Sequence, residues 1–143
     1  MEVLARLSRR QLDALMAVRQ LETPPRGASL GSIATELKLR APSALEHLTT
    51  LEELGLVARR RGKSRLTPRG DACLREYERH HRVAEQLFAR LGFPAGETCR
   101  AAREIDLALD HRTVERLCES EGHPATCPHG DPIAPCDVDR GHR

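Results

Sequence analysis

Residues 51–70 read LEELGLVARRRGKSRLTPRG, and this stretch decides the fold. Leu51 and Leu54 end a leucine-spaced helix, and Gly55 is its natural stop, because glycine accepts the left-handed residue that closes a last helical turn. Leu56–Arg59 and Arg65–Thr67 flank a turn-like Arg60-Arg61-Gly62-Lys63-Ser64, which predicts two short strands around a cationic loop. Five cations, Arg59, Arg60, Arg61, Lys63 and Arg65, fall within seven residues. Thr67-Pro68 then opens another helix, a hydroxyl cap followed by a proline suited to a first turn.

Upstream, Ser8-Arg9-Arg10-Gln11 has the form of a capping box, and Leu12, Leu15 and Met16 recur at helical spacing to about Glu22. Thr23-Pro24-Pro25-Arg26-Gly27 breaks that helix. Ser29 caps a short helix bearing Ile33 and Leu37, and Ala41-Pro42 opens a third, whose Leu45, Leu48, Leu51 and Leu54 are expected to face the core. Ser43, Ala44, Glu46, His47, Thr49 and Thr50 fall off this stripe and are expected to face outward. Three helices followed by a basic hairpin are the sequence form of a winged helix-turn-helix, in which the third helix enters a major groove and the wing reaches the backbone. On this reading Arg40, Ser43, Glu46, His47 and Thr50, with Arg59, Arg60, Arg61, Lys63 and Arg65, are the candidate contacts to a double-stranded DNA operator.

Downstream, the long helix from Pro68 carries Leu74, Tyr77, Ala84, Leu87, Phe88 and Leu91 at helical spacing until Gly92-Phe93-Pro94 ends it. Two further helices are expected over about Glu97–Leu109 and His111–Glu121, and the Pro, Gly, Asp, Cys and His-rich Gly122–Arg143 reads as loop or partly disordered tail. The expected architecture is mainly α: a winged helix with a two-stranded wing over residues 1–70, a helical domain over 71–122 and a tail over 123–143.

Composition agrees with that division. The chain has 143 residues and a net charge of +2, but residues 1–70 carry +6 and residues 71–143 carry −4, so the polyanion-binding half is the first. No run approaches the roughly 20 apolar residues of a membrane span and the N-terminus lacks a signal-peptide run, which together predict a cytoplasmic protein with no membrane partner. Five cysteines exclude a fully paired disulfide framework and make thiolate ligation available. Cys73 reads as a small core residue. An enzyme is disfavoured, since the sequence has no nucleophile elbow or phosphate loop and only two Phe and one Tyr to line a pocket.

His81 and Glu85 stand one helical turn apart, where an imidazole and a carboxylate can share a divalent ion or simply form a solvated pair. The winged helix, the Leu66-Thr67-Pro68-Arg69-Gly70 exit, the His81/Glu85 helix and the string His123-Pro124-Ala125-Thr126-Cys127-Pro128-His129-Gly130-Asp131-Pro132-Ile133 together resemble the diphtheria-toxin-repressor family of iron- and manganese-dependent regulators, in its two-domain branch without an SH3-like domain. The resemblance implies a homodimer assembled through the helices after the wing, binding successive half-sites of a palindrome under metal control. It also implies His81 and Glu85 as ligands, Asp13 as an acidic ligand of some members, and Cys99 at a position where the family often has His. The family's remaining ligand helix departs from the pattern: Arg103 stands at the first ligand, Asp106 at the Glu and Leu107 at the His, with Glu104 available only by a one-residue shift.

Three arrangements stay open. His81, Glu85 and Cys99, with Asp13 or Asp106 nearby, form a site whose thiolate favours Zn²⁺ or Fe²⁺ over Mn²⁺. Alternatively, Arg103 replaces the ion and the regulator is metal-independent. In the third, Cys118, His123, Cys127, His129 and Cys136 build a separate site or an iron-sulfur cluster, giving a thiol- or cluster-based redox sensor.

Overall fold

In the computed structural model, which describes residues 3–136, a 3-10 turn at Leu4–Arg6 precedes α1 (Arg9–Leu21), β1 (Ala28–Ser29), α2 (Leu30–Leu37), α3 (Ala41–Glu53), β2 (Val57–Arg60), β3 (Lys63–Leu66), α4 (Pro68–Arg90), α5 (Ala95–Ile105) and α6 (His111–Ser120). Two compact units result, Arg6–Arg75 and Glu76–Arg143 with the first five residues, so the division falls inside α4. No helix among the described residues is long and apolar enough to cross a membrane.

The first unit is a winged helix. Ser8 caps α1 through both arms of a capping box: its backbone N donates to Gln11 Oε1 at 2.9 Å and its Oγ accepts from Gln11 N at 3.2 Å. Leu12, Leu15 and Val18 of α1 join Ile33, Leu48, Leu51, Leu56 and Val57 in the core. α3 is rotated slightly from the expected stripe. Ala44 is fully buried while Leu45 is 36% exposed. Spacing of 44, 48 and 51 follows the same helical period as 45, 48 and 51, and the smaller side chain lets the helix approach its neighbours more closely. The sheet also exceeds the expected hairpin, because Ala28 and Ser29 pair antiparallel with Ser64 and Lys63 and make β3 its central strand. Two residues are too few to show a period of two, so only the pairing partner reveals this strand.

The wing turn is formed by Arg61 (φ 52°) and Gly62 (φ 73°), the two positive φ values that a tight right-twisted hairpin requires. Thr67 Oγ1 donates to Gly55 O at 2.6 Å and accepts from Gly70 N at 3.0 Å, fastening the start of α4 to the end of α3. Gly70 packs so closely that a Cβ there would collide with the Leu56 carbonyl oxygen.

The second unit departs from expectation at two places. α5 runs Ala95–Ile105 rather than to Leu109, because the chain turns at Ala108 and Leu109, both bonded to Ile105 O, before Asp110 caps α6. Residues 123–136 are irregular, yet they are not a peripheral tail. Cys127, Ile133 and Cys136 are buried with Val83, Val114 and Cys118. The segment holds its shape through its own backbone bonds, Gly130 N to Cys127 O, Cys127 N to Asp131 O and Ile133 N to Ala125 O, at 2.8–2.9 Å. Buried residues spaced by closed turns show no helix or strand period. The part of the expected tail beyond Cys136 lies outside the described residues.

Ile133 therefore contributes to the core. Ile133→Ala is expected to lower the stability of the chain by about 2–5 kcal/mol, read as a shift in the chemical denaturation midpoint; an unshifted midpoint would mean the segment is not packed.

Candidate metal centre

α4 places His81 and Glu85 on one face by their four-residue spacing. Their side chains meet, His81 Nε2 lying 2.9 Å from Glu85 Oε1. Glu85 is only 3% exposed, and a buried carboxylate needs compensating partners. It has several: His129 Nδ1 lies 2.7 Å from Oε2, and Thr98 Oγ1 donates to Oε2 at a long 3.4 Å. Cys99 Sγ, from the first half of α5, stands 3.5 Å from His81 Nε2. Glu85, Cys127 and His129 each bring one donor atom within 4.8 Å of the others. Imidazole and thiol donors from α4 and the 127–129 segment thus gather at Glu85, with the Cys99 thiol of α5 against His81.

The orientation of His81 is set from behind. Asp106, fully buried just after α5, accepts from His81 Nδ1 at 2.8 Å and from the Tyr77 hydroxyl at 2.7 Å. A carboxylate behind Nδ1 fixes the ring with Nε2 turned toward Glu85, the arrangement that usually lies behind metal-bound histidine. Burial, and then the Glu85 carboxylate, push the Cys99 thiol above its usual pKa.

The expected site residues separate accordingly. His81, Glu85 and Cys99 come together. Asp106 is adjacent, with its Oδ2 engaged by Tyr77 and His81 on the far side of the imidazole from Glu85. Glu104 points to solvent, 70% exposed and 3.5 Å from Arg100 Nη1, on the flank of α5 beyond the face that buries Thr98 and Ala102. Asp13 belongs to α1 of the other unit. Arg103 is exposed, while the oxygens of Glu85 are held by His81, His129 and Thr98. The five residues assigned jointly to a tail site divide in two. Cys127 and His129 join Glu85, whereas Cys118, His123 and Cys136 form a separate group. In that group Cys118 Sγ lies 3.8 Å from His123 Nδ1, Arg79 Nη2 donates to Cys136 Sγ at 3.0 Å, and burial pushes the Cys136 thiol up to about 12. His129 was missed as a partner of Glu85 because 44 residues separate them and no periodicity bridges that gap.

On the first unit, Arg40, Ser43 and Glu46 are exposed along the start of α3, and His47 and Thr50 are half-buried, with the Thr50 hydroxyl donating to Glu46 O at 3.2 Å. Arg60, Arg61, Lys63 and Arg65 line a concavity of about 550 Å³ with Pro25 and Arg26. Arg59 is turned partly inward, its backbone N donating to Glu52 Oε2 at 3.0 Å. Arg26 joins the wing cations from the Pro-Pro-Arg-Gly turn, although its sequence position marks it only as part of a helix breaker.

Residues 67–135 match the family described as "Iron dependent repressor, metal binding and dimerisation domain". No curated protein sequence matches the chain. Among solved structures, a hypothetical protein from Sulfolobus solfataricus is similar at 29% identity and a TM-score of 0.84, over 90% of this chain and 99% of that one. A manganese-dependent transcriptional repressor in complex with manganese is similar at 29% identity and a TM-score of 0.70, over 89% of this chain and 59% of that one. ScaR with bound Zn²⁺ is similar at 26% identity and a TM-score of 0.74, over 86% of this chain and 58% of that one. The chain spans about three-fifths of the length of these two repressors.

Cys99 is the exposed thiol of the five. In chelator-treated protein its alkylation by iodoacetamide near pH 8 is expected to run slower than that of an unhindered cysteine. Glu85→Gln, which removes the charge disfavouring the thiolate, is expected to speed it severalfold, followed by mass spectrometry of the Cys99 peptide across pH. An unchanged pH profile would rule out coupling between the two side chains.

Proposed function

Because residues 67–135 carry the metal binding and dimerisation domain of the iron dependent repressors, the chain belongs to the diphtheria-toxin-repressor family, and from that premise we propose that it is a metal-responsive transcriptional repressor that binds a palindromic operator in double-stranded DNA as a homodimer and governs metal-ion homeostasis. Members of this family regulate transcription and are not enzymes. The observation that carries the reading is the buried Glu85 carboxylate, met by His81 Nε2 and His129 Nδ1 and grouped with Cys127, while Cys99 Sγ stands against His81 Nε2.

The donor set fits a divalent transition ion. Glu85, Cys127 and His129 would hold it, with His81, which meets Glu85, and Cys99, which meets His81, as the further candidates, and Asp106 acts as the residue that fixes the His81 ring. A bound ion supplies positive charge against Glu85 and ties α4, α5 and residues 127–129 together. Two thiols among the donors favour Zn²⁺ or Fe²⁺ over Mn²⁺. The thiols stay reduced in the cytoplasm, where a DNA-bound regulator works. α3 presents Ser43, Glu46 and His47 toward base edges, and Arg26, Arg60, Arg61, Lys63 and Arg65 supply the phosphate contacts. The apolar end of α4 supports a second copy as partner: Leu91 is 64% exposed, and Phe93 is 38% exposed and stacks edge-on against Phe88 at 5.0 Å.

Selection from a random duplex pool with Zn²⁺ present is expected to enrich a palindrome. On that duplex, a chelator is expected to weaken binding at least about tenfold, the order of a 1.4 kcal/mol coupling. The His81→Ala/Cys99→Ser variant should lose both the ion and the chelator response. Binding that ignores chelator but yields to a thiol oxidant would overturn metal control in favour of a thiol switch, and indifference to both would make the regulator metal-independent.

Arg60→Glu/Arg61→Glu is expected to lower operator affinity by about 100-fold or more at moderate salt and to flatten the salt dependence, measured by fluorescence anisotropy. Affinity equal to that of the parent chain would remove the wing from the interface.

A further inference from the structure

α4 carries another glutamate and histidine four residues apart, Glu76 and His80, and α6 begins with His111, which has Glu115 four residues on. His80 and His81 are neighbours in sequence, but successive helical side chains point about 100° apart, so the two rings serve different surroundings. The His80 side chain is 2% exposed and that of Glu76 is 7% exposed. Neither ring nitrogen of His80 has a hydrogen-bond partner. Leaving such a group unsatisfied costs about 1–3 kcal/mol per lost bond, and native structures rarely keep one without a reason.

The distances supply a reason. Glu76 Oε1 lies 3.7 Å from His80 Nε2 and 3.7 Å from His111 Nδ1. One donor atom from each of the three residues lies within 4.8 Å of the other two. These gaps are too long for hydrogen bonds, yet close to the edge of about 3.4 Å expected for a tetrahedron with ligand bonds of about 2.1 Å. The Glu115 carboxylate sits 2.9 Å from Arg79 Nη1, so its charge is already matched and the set reduces to two imidazoles and one carboxylate. A cleft of about 330 Å³ lined by His80, Asp110, His111 and Arg112 gives an ion a path to the site.

We propose that Glu76, His80 and His111 form a second binding site for a divalent transition metal, separate from the centre at Glu85 and built of nitrogen and oxygen donors alone. Two imidazoles and a carboxylate leave a coordination position for water and suit Zn²⁺ or Fe²⁺. The ion clamps α6 to α4 where the surrounding side chains alone leave the His80 ring unsatisfied.

The test uses Co²⁺ as probe on the full chain carrying Glu85→Gln, Cys99→Ser and Cys127→Ser, which removes the carboxylate and both thiols of the centre at Glu85. One Co²⁺ per chain is expected to remain, with visible d–d absorption and no thiolate charge-transfer band. Adding His80→Ala should abolish it. His111→Gln, at a position whose side chain is 39% exposed and therefore tolerant of change, should weaken it at least about tenfold, with circular dichroism showing the fold retained. No Co²⁺ in the parent triple variant, a thiolate band in what remains, or full occupancy after His80→Ala with His111→Gln would overturn the site. A parent chain that binds only the His80-dependent ion would overturn the centre at Glu85 while supporting this one.

Discussion

A carboxylate buried to 3% exposure governs how the second unit is put together. Glu85 has its two oxygens within 2.9 Å of His81 Nε2 and 2.7 Å of His129 Nδ1, so it ties its own helix to a segment 44 residues away. Placing an anion in that position is tolerable only if every neighbour is arranged around it. Asp106 extends the same constraint, because it accepts from Tyr77 and His81 together and so fixes the turn after α5 against α4. The irregular 123–136 segment is held by this polar contact from one side and by Cys127, Ile133 and Cys136 in the apolar core from the other. Arg79, Arg82 and Gln86 of α4 add donors to the carbonyls of Ala134, Pro132 and Thr126, so the segment's free acceptors are met by α4.

Local chemistry made much of the fold legible. The capping box at Ser8, the glycine-closed turn at Gly62 and the Thr67-Pro68 entry to α4 are written within three or four residues, and each matches the element formed there. Signals that depend on packing were less readable. Leucines at 45, 48, 51 and 54 form a good apolar stripe, but the alanine at 44 is what the neighbours accommodate. β1 exists only through β3, and residues 123–136 fill a core without any period. For the candidate centre, His81 and Glu85 were legible because helical spacing brings them together, and Cys99 through its place in a familiar pattern. His129 was grouped instead with the cysteines nearest it in sequence. The five residues divide because Cys118, His123 and Cys136 gather on the Arg79 side of the unit while Cys127 and His129 lie with Glu85.

The wing shows how charge and topology cooperate. Pairing β1 to β3 makes β3 the central strand, and the turn preceding β1 brings Arg26 beside Arg60, Arg61, Lys63 and Arg65. Arg65 Nη1 donates to Pro25 O at 3.1 Å, which fixes one edge of the concavity. Like charges gathered at that density repel one another unless an anion intervenes. The polyanion that would relieve the repulsion is the one the net charge of the first 70 residues already favours.

The adjacent histidines of α4 carry the argument furthest. Read as a dipeptide, His80-His81 invites assignment to one site, yet helical geometry sends the rings to different partners, His81 to Glu85 and Asp106, His80 toward Glu76 and His111. Asp106 opens the connection between α5 and α6, and His111, five residues on, is the first residue of α6. Asp110, between them, caps α6 by accepting from Thr113 N at 2.7 Å, and that bond holds its carboxyl below the usual carboxylate range. One short turn therefore orients the His81 ring through Asp106 and starts the helix that bears His111. The two clusters share no side chain and meet only through the backbone of that turn.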